Sequence, residues 1–156
     1  MIQDACRIAR EALIKPFEGY GKRLPDGRCV AYPDPATHGV PWTIGWGTTG
    51  FNVASGTIWT QEQATAALDA EIASKAVGLL KYSPTLASAD DRKFAALISF
   101  AYNCGLGNYR ISTLKNRVND GDWIGAAQEI VKWNKAAGRI MPGLTKRRVA
   151  EAGFLM

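Results

Sequence analysis

Apolar residues recur with helical spacing near both ends of the chain, whereas the segment between them alternates and is rich in glycine and proline. Near the amino terminus, the apolar positions of residues 8–13 follow Asp4, so the pattern predicts a short first helix with Asp4 as its cap. Pro16 is expected to end or disturb this helix, because proline lacks the N–H group that a helix interior needs.

Residues 19–58 show no helical period and carry many glycines and prolines. The sequence Leu-Pro-Asp-Gly-Arg at 24–28 is typical of a hairpin turn, here between strands predicted over 20–24 and 28–32. Residues 42–46 predict a further strand. This part of the chain is therefore expected to form a small, irregular antiparallel sheet.

Helical periodicity returns after this segment. Thr60 and Gln63 fit a capping box that opens a long helix. Ser88 with Asp91 is expected to open a strongly apolar core helix, which Gly105 ends. Three further helices are predicted over residues 112–118, over 123–137 after a cap at Asp122, and over 143–154. The whole pattern predicts an α+β fold with a small sheet near the front and a helical bundle behind.

Composition narrows the class of protein. The chain has 156 residues, 47% of them hydrophobic, enough for one domain or a small two-lobed one. The net charge of +5 favours polyanions, which include nucleic acid, anionic membrane and the acidic bacterial cell wall. Lys and Arg are evenly scattered and no nucleic-acid-binding motif is present, so no nucleic-acid partner is expected. Charges within residues 1–15 argue against a signal peptide or membrane anchor.

Several kinds of site are disfavoured. The three cysteines are odd in number and far apart, which indicates reduced thiols in a chain made in a cytoplasm, with buried structural roles. The single histidine, His38, leaves no zinc-ligand spacing, and neither a nucleophile elbow nor a phosphate-binding loop is present. We therefore expect no metal and no cofactor.

Carboxylates remain as the candidate chemistry. Glu18 follows Phe17 at the expected helix end, where partial burial would disfavour ionisation, and Asp34 lies in a polar turn that keeps it ionised. Such a pair suits hydrolysis of a glycosidic bond, and the hydroxyl of Thr43 could hold the same water. The alternative is purely structural: Glu18 completes a helix, Asp34 closes an Asx turn before Pro35, and Thr43 is an ordinary strand residue.

Three linked motifs resemble the active-site region of the bacteriophage-type lysozymes, the endolysins of glycoside hydrolase family 24. They are residues 17–19 (Phe-Glu-Gly), 31–34 (Ala-Tyr-Pro-Asp) and 42–48 (Trp-Thr-Ile-Gly-Trp-Gly-Thr). Further segments are similar to the family's central core helix, its glycine turn and its carboxy-terminal half, at residues 95–107, 112–114, 119–122 and 143–151. The resemblance covers nearly the whole chain.

The resemblance implies roles for individual residues. Glu18 would be the general acid, Asp34 the partner carboxylate, and Thr43 would help to place the water. The implied activity is that of a muramidase, which cleaves the β-1,4 bond between N-acetylmuramic acid and N-acetylglucosamine in peptidoglycan.

The implied fold is α+β and lysozyme-like, a single catalytic domain over 1–156. A small, irregular antiparallel sheet lobe, about 16–59, would pack on a mainly helical lobe, about 1–15 and 60–156. A long helix, here expected from Thr60 to Lys81, would join the lobes, and the active-site cleft would lie between them.

One departure from the family concerns spacing. Asp34 lies further from Glu18 along the chain than the family's aspartate does, and the excess coincides with residues 22–28. We interpret the excess as a lengthened hairpin tip, which a loop tolerates at modest entropic cost. Asp26 has about the familiar spacing and is the alternative partner, although a Pro-Asp-Gly turn is a poor place to hold a catalytic group.

Other residues are predicted to bind substrate. Tyr32, Trp42 and Trp46 could stack on sugar rings, with a role in the core as the alternative for the tryptophans. Asn103 and Gly105 could line the cleft floor, the asparagine amide meeting an N-acetyl group. The alternative for Asn103 is a cap at the end of the core helix.

A basic cluster near the carboxyl end offers a weaker contact. Lys146, Arg147 and Arg148 could touch anionic wall polymer or the membrane surface, with a solvated helix face as the alternative. Glu151 is interpreted as a surface or structural residue that pairs with a neighbouring arginine.

Three functions are kept open: a muramidase that lyses host cells, a lytic transglycosylase acting on the same bond with a single acid, and a cell-wall-binding protein without activity. The expected partner is the peptidoglycan glycan strand, and the chain is expected to be a monomer. Without a signal peptide, an enzyme of this kind would stay in the host cytoplasm until a holin-type lesion opened the way to the periplasm and the wall.

Overall fold

The computed structural model describes residues 1–50 and 52–156, which form two compact units. The sheet unit is Glu18–Glu71, and the helical unit combines Met1–Phe17 with Ile72–Met156. The sheet unit is longer than the lobe predicted over 16–59, because it also includes the first turns of the long helix.

The sheet unit contains three short antiparallel strands in the order β1-β2-β3. They are β1 (Lys22–Arg23), β2 (Cys29–Val30) and β3 (Ile58–Trp59). Lys22 pairs with Val30 across the first hairpin. The predicted turn is confirmed, because the backbone N–H of Leu24 donates to the carbonyl of Arg28 at 2.7 Å.

The strand predicted over 42–46 is wrong as an element. The chain there makes two isolated bridges instead, Tyr32 with Thr43 and Ile44 with Thr48. Gly45 and Gly47 have φ values of +62° and +92°, which turn the backbone between the bridges and prevent a continuous strand. The third strand is β3, which the sequence pattern did not predict.

A small apolar core holds the sheet unit together. Its buried residues are Tyr20, Cys29, Ala31, Ile44, Val53 and Ala64, with the partly buried Trp42, Trp46 and Trp59 packed against them. These side chains come from the hairpin, the bridged loops and the start of the long helix, so the core links every part of the unit.

The first helix runs without a break to Glu18, through α1 (Ile2–Ile8), a π-helical segment (Ala9–Ile14) and α2 (Lys15–Glu18). Asp4 is not its cap but lies in the first turn. Pro16 does not end the helix but disturbs it, which is the second of the two effects predicted. The π turn that precedes it is wider than an α turn, with the Lys15 N–H bonded to the Arg10 carbonyl, and this shift accommodates a residue without an N–H.

The long helix α3 (Gln61–Tyr82) begins at the predicted capping box. The N–H of Thr60 donates to Gln63 Oε1 at 2.8 Å, and the N–H of Gln63 donates to Thr60 Oγ1 at 3.2 Å. The capping box is therefore confirmed. Within the described part of the chain, no helix has both the length and the apolar character needed to span a bilayer.

Helix α4 (Asp91–Cys104) is the centre of the helical unit, with eight consecutive buried residues over 94–101. Its cap is Asp90, whose side chain accepts the N–H of Arg92 at 2.8 Å. Ser88, the predicted cap, instead ends a 3₁₀ turn, Pro84–Ser88. Gly105, with φ at +89°, ends the helix as predicted.

Four more helices and a hairpin complete the helical unit: α5 (Leu106–Ile111), α6 (Thr113–Asn119), α7 (Trp123–Ile130), the hairpin of β4 (Lys135–Ala136) and β5 (Arg139–Ile140), and α8 (Pro142–Leu155). The sequence did not predict α5. The cap at Asp122 is confirmed, but the helix predicted to reach residue 137 ends at Ile130. Ala137 and Gly138 have φ values of +49° and +76°, which form the two-residue turn of the hairpin.

The basic cluster at the carboxyl end corrects another expectation. Arg147 and Arg148 are only 3% and 0% exposed, because both point into the helical unit and pair with the buried Glu151. They therefore offer no charge to wall polymer or membrane, nor do they form a solvated helix face. Lys146 alone of the three is exposed. The interpretation of Glu151 as the partner of a neighbouring arginine is confirmed.

Candidate active site

The end of the first helix fixes the position of Glu18. Gly19 follows with φ at +68°, the left-handed conformation that commonly closes a helix. Glu18 is half-buried. The ring of Phe17 is 37% exposed and lies 5.8 Å from the guanidinium of Arg147, within the helical unit. Shielding of the Glu18 carboxyl by this ring stays a prediction.

Tyr32 connects the predicted site residues of the sheet unit. Its backbone N–H and carbonyl both bond to Thr43, each at 2.9 Å. Burial raises the pKa of the Tyr32 phenol, and the negative charge of Glu18 raises it further. Gly21, three residues after Glu18, lies against the same ring, since a Cβ atom placed on it would be 3.1 Å from Tyr32 Cε1. Asp34 follows Tyr32 two residues later. Glu18, Tyr32, Asp34 and Thr43 are thus brought into one neighbourhood.

Asp34 closes the Asx turn that was predicted as its structural role. Its Oδ1 accepts the backbone N–H groups of Ala36 at 2.8 Å and Thr37 at 3.1 Å. The backbone of Asp34 also bonds to His38 and Gly39. Within residues 1–50 and 52–156, Oδ2 has no hydrogen-bond partner. One carboxylate oxygen therefore orients the group, and the other is left for a ligand or water.

Thr43 is half-buried opposite Tyr32. Its hydroxyl makes no hydrogen bond to any described residue. The side chain therefore retains a donor and an acceptor next to the segment that carries Asp34.

Close backbone contacts explain two glycines of this region. A Cβ atom on Gly21 would lie 2.9 Å from the carbonyl oxygen of Gly45 and 3.1 Å from Cε1 of Tyr32. A Cβ atom on Gly45 would lie 2.9 Å from the Cβ of Ala64. This role was not predicted, although a glycine inside a predicted strand, as at Gly21 and Gly45, signals such an approach.

Asp26 serves the hairpin turn rather than the site. Its Oδ2 accepts from Arg28 Nε at 2.7 Å, and its Oδ1 accepts the backbone N–H of the same residue at 3.1 Å. The backbone bond, followed by the side-chain bond, lowers the pKa of Asp26. Both of its oxygens are thus occupied, in contrast to those of Asp34.

The tryptophans pack mainly on protein. The rings of Trp46 and Tyr20 lie with centroids 4.9 Å apart, and both Trp42 and Trp46 contact the small core. Stacking of Trp42, Trp46 or Tyr32 on sugar rings stays a prediction. The partial exposure of all three side chains is compatible with it.

Asn103 and Gly105 lie in the helical unit, at the end of α4. The alternative role of Asn103 as the helix cap is wrong, because the Nδ2 of Asn108 donates to the last carbonyl, that of Cys104, at 2.8 Å. Asn103 is exposed. Contact of Asn103 and Gly105 with substrate stays a prediction.

The cysteines are unbridged, with Cys29 buried and Cys6 and Cys104 partly buried. No three His, Cys, Asp or Glu side chains of residues 1–50 and 52–156 are grouped as a metal ion would require.

Comparison with known proteins shows which family the chain resembles. The family model described as phage lysozyme matches residues 17–151. The endolysin of Bacillus phage B103 is 38% identical over 142 residues, which cover 89% of this chain and 49% of that protein. The chain thus spans about half the length of this curated relative.

Two solved structures share the fold. The endolysin from Escherichia coli O157:H7 phage FAHEc1 matches with a TM-score of 0.77 and 29% identity, over 99% of this chain and 91% of that chain. The muramidase domain of SpmX from Asticaccaulis excentricus matches with a TM-score of 0.71 and 27% identity, over 97% of this chain and 94% of that chain. The prediction of a lysozyme-like α+β fold is therefore confirmed.

Proposed function

The chain belongs to the phage lysozyme family, and from this membership we propose that it hydrolyses the glycan strands of bacterial peptidoglycan as an endolysin. The bond cut is the β-1,4 linkage between N-acetylmuramic acid and N-acetylglucosamine. Similarity to the endolysin of the Bacillus phage supports the first statement, and similarity to the muramidase domain of SpmX supports the second. Residues 1–156 act as one catalytic domain.

In the proposed reaction, Glu18 gives a proton to the glycosidic oxygen as the bond breaks. Asp34 holds and activates the attacking water through Oδ2, while its Oδ1 stays bonded to the turn. The Thr43 hydroxyl binds the same water and orients it. No step needs a metal or cofactor, since both carboxyl groups come from the protein.

The observation that carries the proposal is the neighbourhood of Tyr32. The charge of Glu18 acts on its phenol, Thr43 bonds to its backbone, and Asp34 lies on the same loop with one oxygen left over. A pair of acidic groups is what glycoside hydrolysis requires, and a nearby hydroxyl can help to hold the water.

The biological setting follows from the same proposal. The partner is the glycan strand, the enzyme works as a monomer, and it waits in the host cytoplasm until a holin-type lesion gives access to the periplasm and the wall.

The test is digestion of purified peptidoglycan by the chain and by Glu18→Gln, Asp34→Asn and Asp26→Asn, with mass spectrometry of the released fragments. We expect new reducing ends on muramic acid. Glu18→Gln and Asp34→Asn should each lower the rate by about a hundredfold or more, the usual loss when a general acid or base is removed. Asp26→Asn is the matched control and should keep the activity.

Other outcomes identify the other functions. Products with 1,6-anhydro termini, together with full activity of Asp34→Asn, would indicate a lytic transglycosylase. Sedimentation with peptidoglycan without any released fragment would indicate a binding protein.

A further inference from the structure

The charged residues of the sheet unit are distributed unevenly. This unit has three Lys and Arg residues against six Asp and Glu residues, a net charge of −3, whereas the helical unit has sixteen against eight, a net charge of +8. All three cations of the sheet unit lie in the hairpin of residues 22–28, at Lys22, Arg23 and Arg28. This hairpin is the segment that lengthens the spacing between the two acidic residues.

The hairpin is held on a fixed support. The hydroxyl of Tyr20 donates to the carbonyl of Gly27 at 3.2 Å, across the turn. The guanidinium of Arg23 lies 4.5 Å from the centre of the Tyr20 ring, which itself packs on Trp46. The turn of the hairpin and the Arg23 side chain are therefore held in place before a ligand binds, which lowers the entropy lost on binding.

Two of the three cations are available to a ligand. Arg28 pairs with Asp26 at 2.7 Å. Lys22 and Arg23 are both exposed, and neither has an ion-pair partner within the described part of the chain. They form β1, the edge strand of the sheet, so one side of this strand has no neighbouring strand within residues 1–50 and 52–156.

The hairpin begins close to the candidate site. Lys22 is four positions after Glu18 and Arg23 is five positions after it, so the Arg23 Cα lies within about 18 Å of the Glu18 Cα. The base of the hairpin touches the site directly, because Gly21 lies against the ring of Tyr32. A polymer bound at Glu18 can therefore extend to β1.

We propose that Lys22 and Arg23 bind carboxylates of the peptide side chains carried by the glycan strand that is being cleaved. The proposal rests on the proposed function, and it adds a specificity-determining contact outside the reacting groups. Peptidoglycan carries its negative charge largely on peptide carboxylates, and two exposed cations on an otherwise acidic unit complement that charge. The sugar rings alone offer neutral hydroxyl and N-acetyl groups.

The experiment compares Lys22→Glu/Arg23→Glu with Lys135→Glu/Arg139→Glu. The control pair lies on the exposed hairpin β4–β5 of the helical unit, and it changes the net charge by the same amount. Both double changes are made in the active chain and in the Glu18→Gln chain, in which sedimentation measures binding without cleavage. The substrate is peptidoglycan freed of phosphate polymers, used untreated or with its carboxylates converted to methylamides.

On untreated peptidoglycan, we expect Lys22→Glu/Arg23→Glu to raise KM by about fivefold to tenfold with kcat unchanged, because two exposed ion pairs become repulsive. The Kd in the Glu18→Gln chain should rise by a similar factor, and the difference should shrink at high salt. On the amidated substrate, both double variants should match their parent chains. Lys22→Gln/Arg23→Gln, which keeps long side chains, should show a smaller defect of the same kind with an unchanged melting temperature.

Three results would overturn the proposal: equal defects on both substrates, no defect on the untreated one, or a defect seen only when phosphate polymers remain on the wall. Failure of the proposed function looks different. In that case the unmodified chain releases no sugar termini from either substrate. Sedimentation of the Glu18→Gln chain, with and without Lys22→Glu/Arg23→Glu, still decides whether the hairpin binds carboxylates.

Discussion

The two units of the chain differ in the burial and the bonding of a key carboxylate. In the helical unit, Glu151 is buried and is surrounded by donors: Arg148 Nε at 2.7 Å, the Ser99 hydroxyl at 2.7 Å and Arg147 Nε at 3.4 Å. In the sheet unit, Asp34 remains partly exposed, and among the described residues only its Oδ1 accepts hydrogen bonds. A buried carboxylate paired with two arginines and bonded to Ser99 joins α8 to α4, whereas a partly exposed carboxylate with a spare oxygen can meet a water molecule.

The balance at Glu151 shows how such a buried charge is maintained. Burial raises the pKa of this carboxyl, while the charge of Arg148, the bond from Ser99 and the charge of Arg147 oppose the rise. Arg148 also lies 5.4 Å from the ring of Phe100. A buried ion pair adds little net stability, but loss of one member leaves the others uncompensated.

The largest expected effect is therefore on stability and lies in the helical unit. Glu151→Ala should lower the free energy of unfolding by about 3–5 kcal/mol, because two buried guanidinium groups lose their carboxylate. Urea denaturation measures the loss. Glu11→Ala is the control, since Glu11 also pairs with two cations but is half-exposed, and it should change stability by less than about 1 kcal/mol. A folded, stable but inactive Glu151→Ala variant would contradict the purely structural role that we assign to Glu151.

The next effect is on activity and lies in the sheet unit. Thr43→Val should lower kcat by about tenfold to a hundredfold with little change in stability, because the hydroxyl that we assign to the water is lost. Thr48→Val is the control of identical shape, since the Thr48 hydroxyl is buried without a hydrogen-bond partner among the described residues. Initial rates and melting curves separate the two quantities. Equal rate losses in both variants would argue against a role for Thr43.

Gly45→Ala tests what keeps the site loops in place. The added Cβ would approach Ala64 at a φ of +62°, so we expect a loss of about 2 kcal/mol in stability and reduced activity. Gly143→Ala is the matched control, because nothing lies within 4 Å of its Cβ position. Denaturation curves of both variants measure the difference, and unchanged stability of Gly45→Ala would contradict the packing described for the sheet unit.

The smallest effect concerns a buried phenol of the helical unit. Burial raises the pKa of Tyr109 to about 12, and its hydroxyl lies 2.7 Å from that of Ser83. The folded protein thus holds this proton more tightly than the unfolded chain, whose tyrosine pKa is about 10. The resulting stability is complete below pH 10 and is lost as the pH rises towards 12.

Tyr109→Phe should therefore flatten the fall in stability between pH 9 and 11.5, and it should cost about 1 kcal/mol at neutral pH through the lost hydrogen bond. Urea denaturation at several pH values measures both. An alkaline slope identical to that of the unmodified chain would show that other groups cause the fall.

Local rules predicted the elements that depend on neighbouring residues. The capping box of Thr60 and Gln63, the cap at Asp122 and the stop at Gly105 all follow from side chains within a few positions. For the first helix, the sequence predicted a disturbance at Pro16 but not that the helix continues to Glu18, because a π turn before proline is an unusual response to a residue that normally breaks helices. Helix propensities of single residues do not predict such a π turn.

The remaining errors involve partners distant in the sequence. Arg147 and Arg148 were predicted to be exposed because their partners on α4 lie far back along the chain, Ser99 for Arg147 and Cys104 for Arg148. The sequence predicted the residue types of the site and also the Asx turn of Asp34. The role of Tyr32 as their common neighbour depends on its bridge to Thr43 and on the reach of Glu18, and neither is visible along the chain.

The wide turn at Ala9–Ile14 has a consequence for the direction of the proposed acid. A π turn holds one residue more than an α turn, so it acts as a one-residue insertion placed ahead of Glu18. Each residue of an α-helix advances the chain by about 100° and 1.5 Å. Deleting one residue from this segment and restoring a regular helix would swing the Glu18 side chain through roughly a quarter of a revolution. The direction of the Glu18 side chain thus depends on the extra residue of the π turn that precedes it.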